Sequence, residues 1–148
     1  MKKRSATSSL PPEPVFFSDE NLGRHIFPGR LREAGVALEV HFDHFPQGTA
    51  DTDWLPTVGK KRWVLLTIDV RLRYNPLEQK AILKHGIAAF VFTGGATHDE
   101  KAAAFLKARG RIAGLLSRER PPFIAKIHNS GSVEVWLRGA AKRGERRK

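Results

Sequence analysis

Two apolar runs that each lead into an aspartate are the feature that most constrains the fold. Val15–Phe17 is followed within two residues by Asp19, and Trp63–Leu66 is followed within three residues by Asp69. A short apolar run bounded by polar residues is typical of a buried strand in a parallel sheet. The carboxyl ends of such strands lie at one edge, where open α/β sheets bind ligands. We therefore expect Asp19 and Asp69 to lie near each other at this edge.

Carboxylates that are held close together indicate a divalent-metal site. They repel each other unless a cation or a proton neutralises them, and Mg2+ and Mn2+ prefer oxygen ligands. Asp51 and Asp53 lie just before the second apolar run, and we expect one of them to complete the cluster. Such an ion can orient a water molecule towards a phosphodiester. The alternative is that Asp19 is a helix cap and Asp69 a turn residue.

Strands and helices alternate along the chain, which predicts an α/β fold with a mainly parallel sheet covered on both faces. The predicted strands cover residues 15–18, 36–41, 63–67, 87–92, 123–127 and 133–137. The predicted helices cover residues 22–34, 53–59, 76–85, 98–109 and 111–118, with a break at Gly110. Residues 42–53 are expected to form a polar loop. The last two strands are predicted to pair as an antiparallel hairpin.

The length of 148 residues suits one domain. We expect a disordered leader over residues 1–14, the domain over 15–137 and a basic tail over 138–148. The tail carries six basic residues against one acidic residue, and the whole chain has a net charge of +11. This balance favours a polyanionic partner, most commonly nucleic acid. A charged tail also confers solubility without binding anything, so the tail alone does not decide the function.

The absence of cysteine excludes disulfides, thiol catalysis and thiolate metal sites. No apolar run reaches the length needed to cross a bilayer, so a cytoplasmic location is expected. The histidines show no HxH or HExxH spacing, and zinc is therefore not expected. Candidate substrate-binding residues lie near the acidic cluster in the sequence, although surface bases are usually only solvated. These candidates are Asn21, His44, Lys60, Lys61, Arg71 and Arg73.

Three ordered segments give the chain a family resemblance. SDENLG follows the first strand, a GV–EV–H–DHFP stretch comes next, and TADTDWLPTVGKKRWVLLTIDVRLR completes the pattern. Together these segments resemble the PIN-like domains of VapC-type toxins over roughly residues 15–93. The resemblance implies a three-layer α/β/α sandwich and Mg2+- or Mn2+-dependent endoribonuclease activity. It also implies an antitoxin protein as partner, and dimers are common in the family.

Carried over by position, the resemblance assigns the metal-binding and catalytic acids. It implies Asp19 as the acid after strand one, Asp51 as the acid before the short helix, and Asp53 as a frequent acidic neighbour. Asp69 matches the acid of a T-x-D motif. Many relatives continue this motif as T-x-D-x-D-F, whereas Arg71 stands here in place of the second acid. The departure removes one carboxylate and leaves open whether one or two ions bind.

Two other functions fit parts of the pattern. A phosphoacceptor receiver domain also has acids after strand one, an aspartate after strand three, a threonine after strand four and a lysine after strand five. Asp19-Glu20, Asp69, Thr93 and Lys126 match that order. Lys126 lacks the following proline of receivers, and a net charge of +11 is unusual for one. The other alternative is a non-catalytic PIN-like module that binds RNA or a protein. The interpretation adopted is a metal-dependent ribonuclease, the toxin of a toxin–antitoxin pair.

Overall fold

A computed structural model describes residues 14–68 and 75–139. The predicted leader, apart from Pro14, and the predicted tail beyond Gly139 lie outside the described residues. So do Asp69, Arg71 and Arg73.

The apolar runs form one six-stranded sheet in the described part of the chain. The strands are β1 Phe16–Ser18, β2 Leu38–Val40, β3 Val64–Thr67, β4 Ala88–Phe92, β5 Phe123–Ile127 and β6 Val133–Arg138. The order across the sheet is β2-β1-β3-β4-β5-β6, and every neighbouring pair is parallel except β5 and β6, which are antiparallel. The mainly parallel sheet and the C-terminal hairpin were both predicted, and both are confirmed.

Helices cover both faces of the sheet, which gives the predicted α/β/α sandwich. The helices are α1 Ile26–Glu33, α2 His41–His44, α3 Asp51–Lys61, α4 Pro76–Lys84 and α5 His98–Arg118. A 3-10 turn, Glu20–Leu22, follows β1. Side chains of α1 and α5 pack on one face, around Phe90 and Phe105, and side chains of α3 and α4 pack on the other, around Phe17.

Two boundaries after the first strands differ from the prediction. The predicted helix over 22–34 is divided, because Gly23 adopts a φ of 81° between the 3-10 turn and α1. The predicted loop over 42–53 contains α2, a single helical turn that begins directly after β2. His41 lies in this turn rather than in the strand, fully buried against the rings of Phe42 and Phe45. Burial of these rings favours the helical turn over a solvated loop.

The predicted break at Gly110 was wrong, because α5 runs without interruption from His98 to Arg118. A glycine inside a helix costs only about 1 kcal/mol. Ala108, Ile112 and Leu115 lie on the same stripe of α5 and are buried against the sheet. Burying one such aliphatic side chain contributes about 1.5–3 kcal/mol, which exceeds the cost of the glycine.

Two helical glycines are expected to respond oppositely to alanine. A Cβ on Gly59 would collide with the backbone carbonyl oxygen of His85, whereas a Cβ on Gly110 would meet no atom within 4 Å. Gly59→Ala should lower the free energy of unfolding by about 1–3 kcal/mol through overpacking. Gly110→Ala should raise it by about 0.5–1 kcal/mol by restricting the unfolded chain. Urea denaturation of both variants would measure the two changes, and a stabilised Gly59→Ala would contradict the packing of α3 against α4.

Candidate active site

Asp19 is held rigidly at the carboxyl end of β1. Its backbone N–H donates to the carbonyl of Leu66 on β3 at 3.1 Å. One carboxylate oxygen accepts from the backbone N–H of Asn21 at 3.0 Å, as an N-cap of the 3-10 turn. The other accepts from the Thr67 hydroxyl at 2.5 Å. The Asp19 side chain is therefore both fixed and nearly buried, with 5% of the residue exposed.

A small pocket opens beside this carboxylate, and two further acidic residues line it. Its volume is about 20 Å3, enough for one water-sized species. Asp51 and Glu78 line it together with Asp19 and Thr67. The apolar walls are formed by Trp54, Leu55, Leu65 and Ile82.

The two other carboxylates that line the pocket lie in the first turns of helices. Asp51 is the first residue of α3, after Ala50 as N-cap. Glu78 lies in the first turn of α4, where the side-chain oxygen of Asn75 accepts from the backbone N–H of Leu77 at 3.0 Å and from that of Glu78 at 3.4 Å. The positive end of a helix dipole stabilises a carboxylate in the first turn. Both helices therefore favour acids at the end that faces the pocket.

Glu78 was missed by the sequence analysis. Its signal was present: Asn75-Pro76-Leu77-Glu78 is a strong helix start that closely follows the β3 strand end. An acid in a first helical turn is common for reasons of dipole alone, so it did not stand out.

The donor set of this pocket suits a hard cation. Asp19, Asp51 and Glu78 offer carboxylate oxygens, the ligands that Mg2+ and Mn2+ prefer, and no histidine or methionine among residues 14–68 and 75–139 lines the pocket. Over the same residues, no three His, Asp or Glu side chains are grouped closely enough to hold an ion between them. Asp69, the fourth predicted acid, lies two positions after Thr67 and outside the described residues.

Several residues predicted for the site lie elsewhere. Asp53 is exposed on α3 and does not line the pocket. His44 is bound to Glu39, with 2.7 Å between the His44 Nε2 and a carboxylate oxygen. Lys60 and Lys61 lie at the far end of α3, about 14 Å along the helix axis from Asp51.

Asn21 does lie next to Asp19, but the described contacts are made by its backbone. Its N–H donates to the Asp19 carboxylate, and its carbonyl oxygen lies 3.1 Å from Nε2 of His98. Its side chain has no described role in the pocket.

A second layer of polar residues supports the start of α3. The Glu20 carboxylate accepts from the backbone N–H of Gly48 at 3.0 Å, which ties the loop before α3 to the end of β1. His41 is fully buried, and its Nε2 lies 3.6 Å from the same carboxylate. Burial lowers the pKa of His41, because desolvation disfavours the imidazolium more than the negative charges of Glu20 and Asp51 stabilise it. His41 is therefore neutral in the folded protein at neutral pH.

Comparison with known proteins identifies the family. A family model described as PIN like domain matches residues 14–94, more than half of the chain. The chain belongs to the PIN-like domain family. It is also 28% identical over 124 residues to a Mycobacterium tuberculosis (strain ATCC 25618 / H37Rv) protein named "Putative ribonuclease VapC45", a match that covers 80% of this chain and 89% of that protein. No solved structure matches the chain significantly.

Family membership separates this PIN-like domain from the receiver alternative, which the sheet order alone does not. The order β2-β1-β3-β4-β5 is also that of doubly wound flavodoxin-like proteins, which include receivers. Lys126, the candidate receiver lysine, directs its ammonium group over the ring of Trp136 at 5.5 Å, towards β6. In the described part of this PIN-like domain, no helix has the length and apolar character of a membrane span.

A divalent cation should stabilise the PIN-like domain through the acidic pocket. At about 100 times its dissociation constant, Mn2+ should raise Tm by roughly 5–10 °C, because it binds only the folded state. Asp19→Asn and Glu78→Gln should greatly reduce this rise, because each removes a carboxylate from the pocket. Asp43→Asn is the matched control, since Asp43 is exposed on α2 and does not line the pocket. Differential scanning fluorimetry would measure Tm for wild type and the three variants. If Mn2+ raised the Tm of Glu78→Gln as much as that of wild type, Glu78 would not belong to the metal site.

The buried neutral His41 should make the folded state sensitive to acid. Its folded pKa lies below the ordinary value of about 6.5, so below pH 6.5 the unfolded state binds the proton first. The free energy of unfolding should therefore fall as the pH drops from 6.5, by at most about 1.4 kcal/mol per pH unit from this residue. In urea titrations with EDTA, the free energy of unfolding of His41→Leu should depend less on pH than that of wild type. His25 is exposed, so His25→Gln should keep the pH dependence of wild type.

Proposed function

We propose that this PIN-like domain is an endoribonuclease that uses Mg2+ or Mn2+. The observation that carries the proposal is the pocket at the carboxyl edge of the sheet, which Asp19, Asp51 and Glu78 line. Carboxylates that share a pocket are stabilised when a cation or a proton offsets their repulsion. The relative named as a ribonuclease adds independent support, because the match extends over most of both chains.

Each residue of the pocket has a distinct part in the proposed reaction. Asp19 would hold the ion, since Thr67 and the Asn21 amide fix its carboxylate in one orientation. Asp51 and Glu78 would complete the oxygen ligands, together with Asp69 and, as a less direct neighbour, Asp53. When bound, a divalent cation offsets charge on the scissile phosphate and lowers the pKa of the attacking water.

The chain's own groups handle the proton and exclude bulk water. A pocket carboxylate would accept the proton that the attacking water releases, so no histidine is required as a base. Trp54 and Leu55 supply buried apolar walls to the pocket. The water oxygen would form a bond to phosphorus as the P–O bond to the leaving ribose oxygen breaks, and solvent water would give that oxygen its proton.

The charge of the chain suits an RNA substrate and a protein regulator. A net charge of +11 attracts a polyanion, while the acidic pocket demands a cation before a phosphate can enter. We propose that Asn21, Arg71 and Arg73 contact the RNA near the pocket. His44, Lys60 and Lys61 would contact the RNA only at positions further from the pocket. The proposal also includes a cytoplasmic location, an antitoxin partner and a homodimer.

An RNA cleavage assay tests the proposal. Wild type should cut single-stranded RNA with Mn2+ or Mg2+ and not with EDTA. Asp19→Asn should lower the rate by at least about 100-fold, because it removes the most firmly fixed carboxylate. Glu78→Gln should also be impaired, whereas Asp43→Asn should cut like wild type. Urea denaturation of each variant would check that the loss is not unfolding.

Two results would contradict the proposal. The first is RNA binding without cutting under any metal condition, which would favour the non-catalytic binding module. The second is a 2′,3′-cyclic phosphate at the cut, because that product arises from attack by the ribose 2′-hydroxyl and not by water. Mass spectrometry of the cleaved ends would distinguish the products.

A further inference from the structure

Three polar side chains form a hydrogen-bonded chain at the same edge of the sheet, outside the acidic pocket. The hydroxyl oxygen of Thr93 lies 3.1 Å from Nδ1 of His128. Nε2 of the same imidazole lies 3.0 Å from a carboxylate oxygen of Glu134. None of the three residues has a part in the proposed metal chemistry.

Strand register places this chain beside the pocket. Thr67, which binds the pocket acid Asp19, pairs with Val91 on β4. Thr93 comes two residues later and continues the same face of the sheet, so its Cα lies about 8 Å from that of Thr67. Thr93 is half-buried, and the following Gly94 and Gly95 are exposed.

The directions of the two hydrogen bonds follow from the charge of Glu134. A hydrogen bond from His128 and the nearby charge of Lys126 lower the pKa of Glu134, which is therefore a carboxylate at neutral pH. A carboxylate only accepts, so Nε2 of His128 carries the hydrogen. In the neutral imidazole, Nδ1 is then the acceptor and the Thr93 hydroxyl is the donor. The Thr93 oxygen is left with lone pairs alone and can only accept a further hydrogen bond.

An acceptor at this place distinguishes RNA from DNA. In hydrolysis by water the ribose 2′-hydroxyl takes no part in bond making, so a preference for RNA must come from contacts around the pocket. The 2′-hydroxyl can donate a hydrogen bond, whereas deoxyribose has only C–H at that position. Phosphate oxygens are acceptors and gain nothing from another acceptor.

We propose that Thr93 accepts a hydrogen bond from a ribose 2′-hydroxyl close to the scissile phosphate, with His128 and Glu134 as positioning residues that fix its hydrogen. The inference rests on the proposed ribonuclease function and adds a contact that selects RNA. Its ligand is a single ribose of single-stranded RNA.

The test combines protein variants with substrates that lack one 2′-hydroxyl at a time. The assay uses Mn2+ at a fixed pH of about 8. For wild type, deoxy substitution at one position should lower kcat/KM by about 3- to 10-fold, the worth of one neutral hydrogen bond. On all-ribose RNA, kcat/KM of Thr93→Val should be lower than that of wild type by the same factor. Deoxy substitution at that position should lower kcat/KM of Thr93→Val no further. Thr93→Ser should restore the wild-type pattern.

Further variants separate the contact from a general effect on the fold. Thr57→Val is the matched control, because Thr57 is a half-buried threonine about 9 Å along α3 from Asp51. It should keep the full deoxy effect. His128→Ala frees the Thr93 hydrogen and should shrink the deoxy effect, which keeps the inference open to test if Thr93→Val does not fold.

The outcomes separate this inference from the proposed function. If wild type cuts RNA, Asp19→Asn does not, and Thr93→Val keeps the wild-type deoxy profile, the inference is wrong and the ribonuclease function stands. The inference is also overturned if no position shows a deoxy effect in wild type. If wild type cuts no RNA, both fail together.

Discussion

The hydrogen bond from Thr67 to Asp19 is the interaction on which the proposed site depends. It joins the ends of β3 and β1 at 2.5 Å and, together with the bond from the Asn21 N–H, it pairs a nearly buried carboxylate. An unpaired buried carboxylate would be too costly to keep in its charged form. Because the parallel register brings Ser18 opposite Leu66, the residues that follow both strands meet at one level of the edge. The position of the acid is thus set by the sheet, and α3 and α4 add their first-turn acids to it.

The basic chain and its acidic pocket act on a polyanion in opposite ways. The long-range field of a chain with a charge of +11 favours approach of a polyanion, whereas the short-range field of the pocket opposes a phosphate. Screening in physiological salt limits the long-range term to about 8 Å, so the local carboxylates dominate inside the pocket. A divalent cation reverses that local field. The same carboxylates that would repel RNA in the empty pocket are therefore the reason for proposing a metal-dependent enzyme.

The position of Asp19 at a strand end could be predicted from the sequence, whereas the acids on helices could be predicted only in part. The apolar run before Asp19 fixes both its strand and its edge, and the structure places it there. Asp51 and Asp53 were not separable in the sequence, but two residues on a helix point about 200° apart, so only one of them can face the pocket. Glu78 lies in the first turn of α4, and an acid at that position has an ordinary explanation in the helix dipole. The turn α2 depends on burial of His41 among aromatic rings, a tertiary effect that no local pattern shows.

The C-terminal hairpin extends the edge beyond the segment that the family match covers. That match ends at residue 94, directly after Thr93, whereas His128 and Glu134 come from the hairpin. Because β6 runs antiparallel to β5, its first residues and not its last lie at the carboxyl edge, so Glu134 pairs with Lys126 and reaches the His128 ring. A sixth parallel strand would have placed its start at the opposite edge. The reversal of one strand thus makes the proposed ribose contact possible, next to acids supplied by the family segment.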